Sequence, residues 1–312
     1  FNIMSELLNG YCIKMSNKFW TIRNYQPTDF ENYVRLRLET AMRDHSGDPV
    51  SEQLIAEKLG HPSFHPATDL FLAAGDHSLV GSASAFLEPG LGRALLDGLV
   101  HPLYRRKGIG TDLIANATKY AGEAGITVAQ ISIPETNLAA KNMLSELGFR
   151  FFRHFIGYRL DLTTTKLPDI TTGKYVFCSL QSGEEEELTV IQNRSFADTW
   201  GFNANTRKEI TYRINSGSCT PENVIMVYLA DRPVAYCWTR IFQTGNSTPR
   251  IKKGEIHMLG VDPDFRQQSI GRNVLTAGLT YLKHQEVDIV ELMADGEMPA
   301  ALALYESAGF KK

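Results

Sequence analysis

At 312 residues the chain has room for two ordinary domains, each with a core of its own. An apolar content of 43% and a charged content of 21% fit a globular protein, and no apolar run approaches the ~18 residues of a membrane span. A net charge of −3 gives no support to nonspecific nucleic-acid binding, which needs a basic face, and neither nucleic acid nor membrane is expected as a partner. Phe1 to Asn17 lacks the basic end, apolar stretch and small-residue cleavage site of a signal peptide, and Met4 and Met15 both stand as possible starts. Cys12, Cys178, Cys219 and Cys237 are scattered without metal-type spacing, which reads as reduced thiols in a cytoplasmic protein holding no metal.

In chain order, Phe19 to Gln26 reads as a strand and Asp29 to Arg43 as a helix after the Pro27-Thr28 start signal. Leu70–Ala74 and Leu79–Leu87 flank the hairpin sequence Gly75-Asp76-His77-Ser78, and Ala94–Val100 is the next strand. Ile109 to Ala124 is a helix with Ile109, Leu113, Ile114, Ala117 and Ala121 on one face. Val128–Ile133 then reads as a buried strand, Leu138–Leu147 as a short helix and Phe151–Leu162 as a closing strand region. Thr163–Gly173 is a polar linker, so the domains are predicted at 18–163 and 174–312. After the linker come a strand at Tyr175–Leu180, a helix at Glu184–Arg194 and a hairpin of Val224–Ala230 with Val234–Phe242. A strand at Glu255–Val261 leads into a helix at Ile270–Lys283, a strand at Ile289–Met293 and a helix at Ala300–Ser307. Strands first, then alternating strand and helix, predict a mixed α/β fold in each domain, with helices on both faces of the sheet.

The two halves are copies. Val100-His101-Pro102-Leu103-Tyr104-Arg105-Arg106-Lys107-Gly108-Ile109-Gly110 aligns without a gap with Val261-Asp262-Pro263-Asp264-Phe265-Arg266-Gln267-Gln268-Ser269-Ile270-Gly271, and the same register carries Tyr120 onto Tyr281 and Gly148-Phe149 onto Gly309-Phe310. A register held over this length indicates a duplicated domain. The second copy ends at Lys312, where the first still has a strand to run. That leaves three possibilities: an early end, a sheet without that edge, or a strand supplied by another segment.

Arg-x-x-Gly-x-Gly at a strand-to-helix junction turns the chain sharply with its amides outward, and the following helix adds its positive end, which together make a pyrophosphate cradle. Other phosphate loops fit less well. There is no Gly-Lys-Ser/Thr, and Gly108-x-Gly110 lacks the third glycine of a dinucleotide fingerprint.

On these residues the chain resembles the GNAT superfamily of acyl-CoA-dependent N-acetyltransferases, once in Ala94–Phe149 and again in Glu255–Phe310. The resemblance implies tandem domains, each a mixed and mostly antiparallel twisted sheet. It implies that acetyl-CoA is the co-substrate, held by the strand end Leu259-Gly260-Val261 and the loop Arg266, Gln267, Gln268, Ser269, Ile270, Gly271 and Arg272. The matching set in the first copy is Leu99, Val100, Arg105, Arg106, Lys107, Gly108, Ile109 and Gly110. It further implies Glu255 as general base and Tyr305 as the acid that protonates the departing thiolate. The first copy has Ala94 and Leu144 at those places, so the first domain is expected to bind acetyl-CoA without turning it over.

Each catalytic candidate has a second reading. Tyr305 reads also as an interfacial aromatic and Glu255 as a solvated strand start, but their joint presence in one copy and absence from the other favours catalysis. His257 shares the strand face of Glu255 by alternation, as an assistant base or a packed histidine, while His101 at a loop start reads as solvated. Two departures stand against the second copy: Ser269 replaces a glycine, with a Cβ that crowds the phosphate or demands φ > 0, and Met298 replaces the Asn137 of the first copy. The tandem arrangement and the run Gly254–Pro263 resemble the mycothiol synthase group of that superfamily, which implies acetyl transfer to a primary amine of a small molecule. Transfer to a protein or peptide amine, and noncatalytic acyl-CoA sensing, are the alternatives. Phe196, Trp200 and Phe202 either line an acceptor pocket or pack a helix onto the sheet, with packing favoured for Phe196. Nothing in the sequence sets the oligomeric state.

Overall fold

The computed structural model describes residues 2–6, 19–44, 50–76, 78–217, 219–242 and 251–312. Cys12, Met15, His77 and most of the segment Phe1–Asn17 lie outside the described residues. The chain forms two compact units, Phe1–Arg153 and His154–Lys312.

The first unit runs β1 (Asn2–Glu6), β2 (Thr21–Asn24), α1 (Phe30–Asp44), α2 (Glu52–Leu59), α3 (Pro66–Asp69), β3 (Leu70–Ala74), β4 (Leu79–Glu88), β5 (Arg93–Val100), α4 (Ile109–Glu123), β6 (Val128–Ser132), α5 (Leu138–Glu146) and β7 (Arg150–Arg153). The sheet order is β2-β3-β4-β5-β6-β1-β7. Its pairs are antiparallel except β5 with β6. Alternation along β3 splits the core between the two faces: Leu70 and Leu72 join Tyr33, Val34 and Ile55 of α1 and α2, whereas Phe71 and Ala73 join Leu113, Ile114 and Ala117 of α4. The helix α2 was not expected, because Ile55 alone of its residues is buried and its apolar period is weak. It starts at Ser51, whose side chain accepts from the Leu54 amide.

The second unit runs β8 (Phe155–Asp161), β9 (Val176–Ser179), α6 (Glu185–Phe196), α7 (Arg207–Ile214), β10 (Val224–Leu229), β11 (Arg232–Phe242), β12 (Lys253–Val261), α8 (Ile270–His284), β13 (Ile289–Asp295) and α9 (Pro299–Ser307). Its sheet order is β8-β13-β12-β11-β10-β9, antiparallel except β12 with β13. Here Ala235 and Cys237 face α8, while Tyr236 and Trp238 face Leu188 and Ile191 of α6 and Ile210 and Ile214 of α7. Unexpected from periodicity, α7 opens on a reciprocal capping box between Thr206 and Glu209.

The expected closing strand of the first domain, Phe151–Leu162, is two strands in two sheets. β7 ends the first sheet, whereas β8 pairs with the whole of β13, from Ile289↔Asp161 to Asp295↔Phe155. Alternation explains the switch, since Tyr158, Leu160 and Leu162 all enter the second core. The boundary therefore falls between Arg153 and His154 rather than within Thr163–Gly173. β8 also answers the missing strand: another segment supplies it, and Lys311 bridges to Arg159 on its free side. In the first sheet β1 does the same, lying between β6 and β7. Each copy thus begins with a strand that inserts beside the last strands of its own sheet, and the repeat is longer than the sequence match.

The fit of α8 on the second sheet depends on one glycine. A Cβ on Gly278 would stand 2.4 Å from the Cys237 Sγ and 3.4 Å from the Thr239 Cγ2, and both of those residues are fully buried. An Ala in an exposed helix is worth about 1 kcal/mol over Gly. Overpacking here should reverse that sign, so Gly278→Ala is expected to lower unfolding stability by roughly 1–3 kcal/mol, as measured by denaturant titration. Adding Cys237→Ala removes the clashing sulfur and should restore part of the loss. A more stable Gly278→Ala single variant would contradict this packing.

Candidate active site

Each sheet contains one parallel pair, and each pair comes apart. β12 and β13 are in register only at Lys253–Glu255, and β5 and β6 only at Arg93–Leu96. Beyond those points Leu259, Gly260 and Val261, and in the first unit Leu99 and Val100, have no partner strand on that side among the described residues. The second fork is sharpened by a bulge, because Trp238 pairs with Met258 and Thr239 with Ile256, leaving His257 without an opposite residue. Gly260 is closely packed at the fork: a Cβ there would meet the Tyr236 ring at 2.5 Å and the Ser195 Cβ and Oγ at 2.8 Å.

Each fork leads into a turn and then a helix. In the second unit the turn is capped by Asp262, which is fully buried and accepts from Arg194, Arg232 and the Asp264 amide. The Arg194 and Arg232 guanidinium groups hold its carboxyl well below the usual carboxylate range. His101 takes that place in the first unit. It is buried rather than solvated, because its Nδ1 accepts from the Leu103 amide at 3.4 Å and its Nε2 lies 3.5 Å from Glu39.

The loops themselves present bare amides. None of the backbone N–H groups from Arg106 to Thr111, or from Gln267 to Arg272, has a partner among the described residues. The two loops share a backbone, with φ of 62° at both Arg106 and Gln267, and left-handed N-caps at Gly108 (87°) and Ser269 (61°). Serine therefore adopts the conformation that glycine takes freely, at a cost of about 1–2 kcal/mol. The arginines expected in the cradle are turned elsewhere. The Arg266 guanidinium donates to both Asp198 oxygens (2.6 and 3.1 Å) and to the Ser195 carbonyl (2.8 Å), and Arg105 donates to Asp44 (2.6 Å) and the Val100 carbonyl (3.0 Å). These side chains brace the loops. Lys107 lies over the Phe19 and Tyr104 rings, Gln268 accepts from the Tyr175 hydroxyl, and Arg272 donates to Ser307.

Glu255 stands at the last paired position of the fork, half-buried, with His257 Nδ1 at 3.8 Å, too far for a hydrogen bond. Burial pushes the Glu255 carboxyl up, but His257 and Arg240 outweigh it and hold the group below its ordinary value. Burial lowers His257 further than Glu255 raises it, so the imidazole stays neutral at neutral pH and rests edge-on against Trp238 at 5.4 Å. Tyr305, half-buried on α9, packs against Tyr158 and Phe310 at 6.1 and 6.0 Å, and burial raises its phenol well above 10.

The equivalent places in the first unit are filled. Ala94 and Leu144 are fully buried core residues. Asp97, just past the first fork, is ion-paired to Lys58 (2.7 Å) and Arg37 (2.9 Å), which hold its carboxyl far below the usual range. The Asn137/Met298 difference concerns a helix cap: Asn137 accepts from the Ala140 amide at the start of α5, while α9 relies on Pro299. Phe196 stacks on Phe202 at 5.6 Å and joins the α6–α7 core, as packing predicted, whereas Trp200 is 47% exposed. Sequence reasoning missed Arg240, which pairs across the strands with Glu255, and Arg213, which acts on His257. Only the capping box of α7 hinted at the helix that carries Arg213.

Among the described residues no helix is long and apolar enough to cross a membrane, and no group of acidic, histidine or cysteine side chains could hold a metal. The family model for the acetyltransferase (GNAT) family matches residues 31–149 and again 186–310. The chain is 30% identical over 289 residues to a mycothiol acetyltransferase of Thermobispora bispora, spanning 92% of this chain and 94% of that protein. A mycothiol acetyltransferase of Nocardia farcinica is 27% identical over 297 residues, spanning 93% and 94%. Among solved structures, a GCN5-related N-acetyltransferase from Sphaerobacter thermophilus aligns with a TM-score of 0.71 at 18% identity, covering 96% of this chain and 93% of that one. A tandem GNAT protein from the clavulanic acid biosynthesis pathway aligns at 0.69 and 17% identity, covering 94% and 95%. The forked sheets, the bare-amide loops and the doubled family match agree, and the chain belongs to the GNAT family of acetyltransferases.

Proposed function

We propose that the second unit transfers the acetyl group of acetyl-CoA to a primary amine of a small molecule, and that the first unit binds acetyl-CoA without turning it over. The observation that carries this reading is the asymmetry of two otherwise matching forks. Glu255 and Tyr305 flank one, and the buried Ala94 and Leu144 flank the other. The small-molecule acceptor rests on the names of the relatives, which are mycothiol acetyltransferases.

In this reading the bare amides from Gln267 to Arg272, with the N-terminus of α8 behind them, hold the pyrophosphate, and Arg106 to Thr111 serve likewise in the first unit. The free edge of β12 at Leu259–Val261 orients the thioester and polarises its carbonyl. Glu255, ionised at neutral pH, takes the ammonium proton directly or through a water, which frees the nitrogen lone pair for attack. Tyr305 stays protonated at any working pH because burial raises its phenol, so it has a proton to give to the leaving sulfur.

Tyr305→Phe and Glu255→Gln should each lower kcat by about 100-fold or more, with acetyl-CoA affinity within about threefold of the parent, as read by thiol release and calorimetry. Wild-type protein that binds acetyl-CoA yet acetylates no amine would instead support the sensor reading. The pH profile separates the two candidate bases. The Glu255 carboxyl is held below its ordinary 4.5, so kcat should stay flat as pH falls from 7 to 5 and drop only as the carboxylate protonates below that. An acid limb above pH 5 that survives in Glu255→Gln would assign the base elsewhere, His257 being the candidate because burial holds it below its ordinary 6.5.

A further inference from the structure

The face of the second sheet beneath α6 and α7 carries cations without a salt bridge and polar atoms without a hydrogen-bond partner among the described residues. Arg240 on β11 is the direct cross-strand partner of Glu255, and its Nε is buried without a hydrogen-bond partner. Arg213 belongs to the same face: Ile210 and Ile214 of α7 pack into the core with Tyr236 and Trp238, which turns Arg213, at i+3 from Ile210, toward the sheet. Its guanidinium is close enough to Arg240 for like-charge repulsion, and burial together with that repulsion lowers its proton affinity against the opposing pull of Glu209. Glu209 is itself engaged with Thr206 in the helix cap. Neither arginine has a salt bridge or a side-chain hydrogen bond among the described residues. The Gln192 amide and the Tyr236 hydroxyl, both almost fully buried on this face, also lack hydrogen-bond partners among the described residues.

Two neighbouring guanidinium groups cost free energy to hold together, and a buried donor without an acceptor costs more. Such a site is satisfied by an anion. Resting on the reading of Glu255 as the base, we infer that the acceptor is a primary amine bearing a carboxylate or phosphate a few bonds from its nitrogen. The anion would bind Arg240 and Arg213 while the ammonium faces Glu255. Directly opposed strand residues project to the same face as neighbours, so one small ligand carrying both an ammonium and an anion can touch Glu255 and Arg240 together.

The test compares acetyl-CoA turnover on free amino acids, their carboxamides and short aminoalkyl phosphates. At least one of the two anionic classes should exceed the carboxamides by about tenfold or more in kcat/KM, and whichever class wins identifies the anion. Arg240→Gln should raise KM for that class at least about tenfold more than it raises KM for the carboxamides, and Arg240→Lys should restore part of the affinity. Carboxamides used as well as the acids, or an Arg240→Gln defect equal for charged and neutral amines, would overturn the inference while leaving the acetyltransferase reading intact. If no amine turns over, calorimetric binding of the same amino acids and phosphates to wild-type and Arg240→Gln protein decides it. Binding that Arg240→Gln abolishes supports the anion site, and no binding overturns it.

Discussion

The organisation of the second unit depends on a parallel strand pair that holds for three residues and then separates. While β12 and β13 are paired, Lys253 to Glu255 are tied into the sheet, and the Lys253 ammonium reaches Glu291 across the pair at 3.2 Å. Once they part, β12 keeps hydrogen bonding only toward β11, and its other edge is free for an extended ligand. The bulge at His257 enlarges the local twist, and Gly260 is the residue that lets Tyr236 and Ser195 close against the strand. Beyond the fork, the turn on Asp262 redirects the chain into α8 with its first amides bare. A carboxylate at the root of the fork, an amide cradle at its end and a phenol from α9 alongside follow from that one separation.

Duplication shows which features belong to the fold and which to the chemistry. Both units keep the fork, the left-handed loop residues, the bracing arginine and the inserted strand. These are the parts that geometry requires, and a structural domain needs them as much as an enzyme does. The differences that bear on chemistry include Ala94 against Glu255 and Leu144 against Tyr305. The first unit has apolar core residues there and an Arg37–Asp97–Lys58 network in which both cations are ion-paired to one carboxylate. The second has Glu255, His257 and Arg240, whose Nε is buried without a hydrogen-bond partner among the described residues.

Much of this was legible in the chain. The glycine-bearing loops, the helix faces of α4 and α8, and the Glu255/Ala94 and Tyr305/Leu144 contrasts are local patterns, and local patterns survive folding. Ser269 was expected either to crowd the phosphate or to demand positive φ, and the second holds. The rest depended on long-range choices that alternation cannot reveal. Phe155–Asp161 reads as a strand in either domain, and only the fit of Tyr158, Leu160 and Leu162 into the second core decides which. His101 sits in a loop by sequence and is buried by a contact to α1 that sequence does not encode locally. Arg266 matches the motif, yet its donors go to Asp198, a residue 68 positions away. Arg213 and Arg240 lie on separate elements and become neighbours only when α7 packs on the sheet.

The central claim is that the second fork is the working site, and a crystal structure of the chain with acetyl-CoA tests it most directly. The pyrophosphate should lie on the amides from Gln267 to Arg272, the thioester along Leu259–Val261, and the sulfur within hydrogen-bonding reach of the Tyr305 hydroxyl. A thioester bound only at the first fork, or one in the second with its sulfur turned away from Tyr305, would contradict it.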